Sequence, residues 1–253
     1  MRRLAISTWS LDGLLQSGVP LLSLPAQLAQ HRMTTLELCH FHLPTTEPTY
    51  VDALRQALQA AGIELYSVLI DTGDITAPDL AQRSADIQTI REWIGVAAAL
   101  GAGVVRIDAG RQPPTPEVME QSARQLRAFA QDAARHDLRT ITENWHATSQ
   151  EPAALLAILD QCDGQVGLCA DTGNAEATAD KYATLAQLLP RASSVHFKAR
   201  YASDGSIVMD DLERCFQLIE QARFEGVITL IYEGKGDEWA GVDQLRAALQ
   251  PLL

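Results

Sequence analysis

Four side chains dominate any chemical reading of this sequence: Glu143, Asp171, His196 and Glu233. Each closes a short apolar run. Leu138–Thr142 leads into Glu143-Asn144-Trp145-His146, Val166–Ala170 into Asp171-Thr172-Gly173-Asn174, Ser194-Val195 into His196-Phe197-Lys198, and Leu230-Ile231-Tyr232 into Glu233. Carboxylates joined by one imidazole form a hard, oxygen-rich donor set that suits Mg²⁺, Mn²⁺ or Co²⁺ and admits Zn²⁺. Three carboxylates gathered at one place repel one another, and a bound cation is the simplest neutraliser. The expected cofactor is one divalent metal ion.

Residues so far apart in sequence meet only if the chain brings strand ends to a common place. Short β-branched runs alternate with helical stretches from one end of the chain to the other. Eight runs are predicted, ending near Thr8, His40, Ile70, Asp108, Glu143, Asp171, Ala199 and Glu233, so successive ends lie 28 to 38 residues apart, the length of a βα unit. Helices are predicted over Leu21–Gln30, Tyr50–Ala61, Leu80–Leu100, Pro116–His136, Glu151–Gln161, Ala179–Leu189, Asp210–Ala222 and Glu238–Leu252. Gly62 and Gly101 suit left-handed helix ends, and Pro116 and Pro152 suit first turns. Eight comparable units without a GxGxxG turn favour a closed barrel over an open doubly wound sheet. The expected fold is α/β, a single (β/α)8 TIM barrel over residues 1–253, a length at which such a barrel is complete. Its active mouth lies at the carboxyl ends of the strands, where long loops over Thr72–Asp79 and Gly110–Pro116 also fall.

Composition narrows the function. The chain is 47% hydrophobic but only 6% aromatic, so its core is aliphatic. A formal charge of −12 opposes binding to a phosphate backbone, and nucleic acid is not an expected partner. Cys39, Cys162, Cys169 and Cys215 lack CxxC spacing and read as buried free thiols. No run of about 18 apolar residues predicts a membrane span. The first residues lack a secretory leader pattern, which with the free thiols suits the cytoplasm.

The ordered set Ile6-Ser7-Thr8-Trp9, Leu36-Glu37-Leu38, Val105-Arg106-Ile107 and the four strand ends resembles the xylose isomerase-like superfamily of sugar phosphate isomerases and epimerases. Ketose 3-epimerases, hydroxypyruvate isomerase, inosose dehydratase and endonuclease IV belong to it. The resemblance spans nearly the whole chain and rests on order and spacing. It implies that Glu143, Asp171, His196 and Glu233 coordinate the metal and that Glu143 and Glu233 also move protons. A metal chelated by a carbonyl and its neighbouring hydroxyl stabilises an enediolate, and carboxylates on opposite faces remove and return the proton. The expected substrate is a small carbohydrate, and the family's relatives raise a homodimer as the assembly.

The departure is Asn174. Ketose 3-epimerases and endonuclease IV carry Asp-x-x-His here, and an amide neither titrates nor binds metal comparably. A second metal site is therefore not expected. Asp71, Asp108 and Lys198-Ala199-Arg200 do not reproduce the further histidines of endonuclease IV, which makes DNA repair the weaker branch. An inosose dehydratase-like lyase and a sugar-binding barrel without turnover remain rivals to an isomerase or epimerase. Expected substrate contacts are Arg106, Lys198, His40, Asn174, Trp145 and Trp9, with Trp239 a third candidate for an apolar wall. Arg106 has an equal structural reading as a partner of Asp108. His40 and His42 are expected to share a face, and Glu37 to support a mouth residue from below. His31 and His136 are expected to face solvent.

Overall fold

The computed structural model describes residues 2–253. Eight parallel strands, β1 (Arg3–Ser7), β2 (Thr35–Cys39), β3 (Glu64–Ile70), β4 (Val104–Ile107), β5 (Arg139–Glu143), β6 (Val166–Asp171), β7 (Ala192–Lys198) and β8 (Val227–Ile231), close in sequence order into one barrel. The predicted (β/α)8 TIM barrel is the fold observed. Between the strands run α1 (Asp12–Gln16), α2 (Leu24–Gln30), α3 (Pro48–Ala60), α4 (Leu80–Leu100), α5 (Pro116–Ala134), α6 (His146–Ser149), α7 (Pro152–Gln161), α8 (Lys181–Leu188), α9 (Met209–Gln221) and α10 (Glu238–Leu249). Among the described residues no helix is long and apolar enough to cross a membrane.

Strand alternation separates two interiors. Leu36, Leu38, Val105, Ile107, Leu168, Ala170, Val195, Phe197, Ile228 and Leu230 point outward and join the helices in the main apolar core. The opposite parity points into the barrel. There Ala5, Tyr66, Val104, Ile141, Cys169 and Val227 form a small apolar plug. Above it the same parity delivers Arg106, Glu143, Asp171 and His196, all buried, to the carboxyl end. Two register shifts, between Leu36 and Glu37 against β3 and between Leu168 and Cys169 against β7, adjust the heights of these side chains.

Helix boundaries follow local chemistry. Asp79 and Thr115 accept hydrogen bonds from the amides of Gln82 and Val118, capping α4 and α5, and Gly101 ends α4 in the left-handed region at φ 81°. Helix α3 begins two residues before the predicted Tyr50 because Pro48 occupies its first turn. Several short helical pieces fall outside the predicted helices: a 3-10 turn over Thr8–Leu11 leading into α1, 3-10 turns over His40–His42 and Asn174–Ala177, and α6 directly after β5. The long loops after β3 and β4 are tied together, since Asp74 Oδ1 accepts from the amides of Thr76 (2.9 Å) and Arg111 (3.1 Å) and Asp74 Oδ2 from Gln112 Nε2 (3.0 Å). Hydrogen bonding lowers the Asp74 pKa despite the opposing effect of its burial.

Candidate functional site

The last inward position of β5 is Glu143, of β6 Asp171, and of β7 the pair His196 and Lys198. His196 stands at the centre. Its Nδ1 lies 3.5 Å from Glu143 Oε2 and 3.6 Å from Asp171 Oδ2. Its Nε2 lies 2.8 Å from Oε2 of Glu37, a carboxylate wholly buried inside the barrel on β2. Glu37 thus fixes the ring so that Nδ1 faces the two carboxylates.

Those carboxylates are anchored by one oxygen each. Asp171 Oδ1 accepts from the amides of Gly173 and Asn174, both at 2.7 Å, and Glu143 Oε1 accepts from Asn174 Nδ2 at 2.8 Å. The other oxygens, Glu143 Oε2 and Asp171 Oδ2, are buried and face cations rather than amides, Arg106 Nε at 3.1 Å and Lys198 Nζ at 3.4 Å. These two oxygens also converge beside an imidazole nitrogen oriented by a carboxylate. This donor set fits a hard divalent cation. The Cys169 thiol lies beneath, its sulfur grouped with ligand atoms of Glu143 and His196 within 4.8 Å. Burial raises the Cys169 pKa against the opposing pull of His196. Cys169 stands two residues before Asp171 on the same strand face, and that parity could have placed it in the site.

Glu233 sits apart. It lies two residues beyond β8, its side chain is 45% exposed, and its Oε1 accepts from Trp9 Nε1 at 2.9 Å. Lys198 Nζ stands between it and the cluster, 3.3 Å from Glu233 Oε1, 3.4 Å from Asp171 Oδ2 and 3.3 Å from Asn174 Oδ1. The structure therefore brings three of the four predicted ligands together and holds the fourth across an ammonium group. Gly173 makes room for this, because a side chain there would collide with the Lys198 methylenes.

Arg106 serves the opposite side. Its guanidinium pairs with Asp71, with Asp108 Oδ1 at 2.7 Å and, through Nε, with Glu143 Oε2 at 3.1 Å. Of the two readings weighed for Arg106, partnership with protein carboxylates accounts for these donors. A metal was expected to be the simplest neutraliser of the acidic cluster; Arg106, Lys198 and His196 already share that task.

Electrostatics follow from this geometry. Burial opposes charge on His196, but the Cys169 sulfur with Glu37, Glu143 and Asp171 holds its pKa well above the ordinary value. Burial likewise opposes charge on Lys198, and Asp171 and Glu233 outweigh it, raising its pKa. Desolvation raises the Glu143 pKa against the opposing pull of His196 and Arg106. Asp171 is lowered in spite of its burial, by Lys198 and His196 and by the Asn174 amide.

Trp9 and Trp145 line the pocket together with Ser7, Cys39, Leu69 and Ile231. Trp145 lies under the Arg106 guanidinium at 5.5 Å and stacks on His146, whose φ of 58° is left-handed. His40 lies beside the pocket rather than in its lining: its Nδ1 accepts from the Asp71 amide at 3.2 Å, its ring meets Trp93 edge-on, and burial lowers its pKa. Residues 40–42 form a 3-10 turn, which breaks strand alternation, so His42 diverges from His40 and contacts Thr8 Oγ1 and Asp12 Oδ1, each at 2.8 Å. Trp239 is no part of the wall. It lies in the first turn of α10 and stacks on His31 at 3.9 Å, and that stacking with the 2.9 Å contact to Asp243 leaves His31 half-buried rather than facing solvent.

A sequence model of the xylose isomerase-like TIM barrel family matches residues 25–252. Among solved structures, the chain is similar to an L-ribulose 3-epimerase, at 16% identity over 100% of this chain and 95% of that one, with a TM-score of 0.80. It is also similar to the probable 3-DHS dehydratase of petrobactin synthesis from Bacillus anthracis (14% identity, 98% of each chain, TM-score 0.76). A third likeness is to a xylose isomerase-like TIM barrel protein from Mycobacterium smegmatis in complex with magnesium (15% identity, 93% of this chain and 90% of that one, TM-score 0.69). At these identities the likeness is one of fold. Comparison with curated protein sequences gives no match.

Proposed function

For a chain that belongs to the xylose isomerase-like TIM barrel family, we propose an isomerase or epimerase acting on a small polyhydroxy carbonyl compound with one divalent metal ion. The observation that carries this reading is the convergence of Glu143 Oε2, Asp171 Oδ2 and His196 Nδ1, the two oxygens buried and the ring braced by Glu37. Glu143, Asp171 and His196 would hold the ion, with Glu233 completing the set. Bound there, the ion would act as a Lewis acid towards a carbonyl and its neighbouring hydroxyl.

The chain's own groups supply the rest. Glu233, reachable from solvent and oriented by Trp9 Nε1, takes or returns a proton on one side of the substrate carbon; Glu143, buried on the other, does so on the opposite side. The Lys198 ammonium donates to a substrate oxygen between them. Trp9 and Trp145 flank the pocket and exclude water from the carbon skeleton. The epimerase and dehydratase names among the structural neighbours agree with chemistry that begins by removing a proton next to a carbonyl.

A lyase reading draws on Asn174. Its Nδ2 occupies Glu143 Oε1 and leaves Glu233 the freer carboxylate, which suits abstraction from one side followed by loss of a β-hydroxyl. The test is metal analysis of stripped and reloaded protein beside a Glu143→Gln/Glu233→Gln double variant, followed by incubation of ketoses in D₂O with Mn²⁺ or Mg²⁺. About one ion per wild-type chain and deuterium uptake at a carbon, with both lost or strongly weakened in the variant, are expected. Product mass separates epimerisation from dehydration. A wild type that takes up no divalent ion at millimolar concentration sinks the proposal.

A further inference from the structure

The inward faces of β5, β6 and β7 carry one more metal donor than the site described above uses. Glu143 on β5 stands opposite Cys169 on β6, and two residues further along β6 Asp171 stands opposite His196 on β7. Glu143 and His196 therefore border two levels of the barrel. Asp171 Oδ2 is the third donor at the level nearer the mouth, and the Cys169 sulfur is the third donor at the level below it. That sulfur, a carboxylate oxygen of Glu143 and a ring nitrogen of His196 all lie within 4.8 Å of one another. Small side-chain rotations bring such a set onto one ion, with bonds of about 2.0–2.3 Å. No amide or hydroxyl donates to Glu143 Oε2, and Glu37 already engages Nε2 of His196, which leaves Nδ1 for an ion.

Hardness decides which level an ion takes. Mg²⁺ and Mn²⁺ favour carboxylate and water oxygens and leave a thiol alone, whereas Zn²⁺ and Cd²⁺ accept thiolate and imidazole together. The other thiols have different surroundings. Cys162 donates to Ala123 O at 3.8 Å, and Cys39, which lines the deep pocket, lies 3.7 Å from Ser7 Oγ. Among the described residues neither they nor Cys215 join a carboxylate and an imidazole in a group of this kind. Cys169 itself is wholly buried, but the deep pocket is lined by Glu143 and His196, so an ion entering there meets both before it meets the sulfur. A bare ion needs less room than a water molecule.

We infer that Cys169 gives the barrel a second metal mode, in which Glu143, Cys169 and His196 hold a thiophilic ion, Zn²⁺ or Cd²⁺, and the thiol proton passes to solvent. The inference rests on the proposed metal site and adds its choice of ion: the two modes share Glu143 and His196, so zinc and magnesium exclude each other. X-ray absorption at the zinc edge of the wild-type chain, stripped and loaded with one equivalent of Zn²⁺, shows a sulfur ligand. Cd²⁺ gives an ultraviolet thiolate-to-metal charge-transfer band. Cys169→Ser loses the band and weakens Zn²⁺ binding, read by competition with a chelator, by at least about tenfold, while Mg²⁺ affinity changes by less than about twofold. Cys39→Ser, which alters the other thiol at the pocket, keeps the band. Zinc bound by nitrogen and oxygen alone, a band that survives Cys169→Ser, or a Zn²⁺ affinity unchanged by that substitution overturns the inference. The zinc-edge measurement needs no variant, so it decides the matter even where Cys169→Ser fails to fold. The two readings fail separately: deuterium uptake with Mn²⁺ beside sulfur-free zinc sinks this inference alone, whereas sulfur-bound zinc without uptake keeps the thiol site and sinks the reaction.

Discussion

The two halves of the barrel mouth hold similar charges in opposite ways. On the side of β3 to β5, one guanidinium is clamped by Asp71, Asp108 and Glu143, and none of the four side chains is more than 10% exposed. On the side of β6 to β8, Lys198 touches Asp171, Glu233 and Asn174 at 3.3 to 3.4 Å, with Lys198 20% and Glu233 45% exposed. A planar fork with fixed donors locks carboxylates in place, while an ammonium on four methylenes can move off when a ligand arrives. The first half is a buttress. The second is the half that can open, and the deep pocket meets a wider cavity there at Asn174 and Lys198.

The sharpest way to break this comparison is to remove each cation. Arg106→Met strands three buried carboxylates and is expected to cost about 3–5 kcal/mol of unfolding free energy, the range for breaking a buried ion pair. Lys198→Met leaves Asp171 with two amide donors and Glu233 in contact with water, and is expected to cost about 1–2 kcal/mol. Urea unfolding of the metal-free variants measures both. Equal losses would mean that the halves are not differently built.

A smaller effect separates bracing from ligation. Glu37 has no access to the mouth, yet it sets the His196 ring. Glu37→Gln is expected to weaken divalent-metal affinity about 10- to 100-fold, as loss of a carboxylate behind a ligating imidazole does elsewhere. The wild type supplies a companion test through pH. Because its neighbours raise the His196 pKa, the ring is protonated in the metal-free protein and must lose a proton to bind through Nδ1. Affinity is therefore expected to rise with pH and to fall as pH is lowered, by about tenfold per unit where one proton is exchanged. Titrations at several pH values check this, and a flat profile would argue against His196 as a ligand.

How much of this could be read in the sequence follows from which interactions are local. Strand parity and strand ends need only alternation over a few residues, so the barrel and the delivery of Glu143, Asp171 and His196 to one mouth were legible, as was Glu37 lying below them. The commitment of Arg106 was only half legible. Asp108 is two residues away on the same face, but Asp71 and Glu143 belong to neighbouring strands whose relative heights depend on closure of the whole barrel. The divergence of His40 and His42 and the first contacts of Trp9 arise in 3-10 turns with no apolar period to announce them. Trp239 was misplaced because proximity to a strand end in sequence says nothing of direction once α10 has begun. Cys169 was overlooked although its parity with Asp171 places it inside the barrel.

Asn174 joins the two halves, and its replacements sharpen the comparison at the smallest scale. Its Nδ2 donates to Glu143 on the clamped side while its Oδ1 accepts from Lys198 on the open side, so only an amide satisfies both neighbours at once. Asn174→Ala removes one charge-assisted bond and one long contact and is expected to cost about 1 kcal/mol. Asn174→Asp keeps an acceptor for Lys198 but sets a carboxylate against Glu143 Oε1. If Asn174 works as a joint, the aspartate variant is less stable than the alanine variant at neutral pH, and the gap narrows as pH falls through the carboxylate range and one of the two acids takes a proton. Urea unfolding of both variants across that range measures the gap. An aspartate variant as stable as wild type at neutral pH would mean that Lys198 alone holds the position and that the halves are joined through the ammonium rather than through the amide.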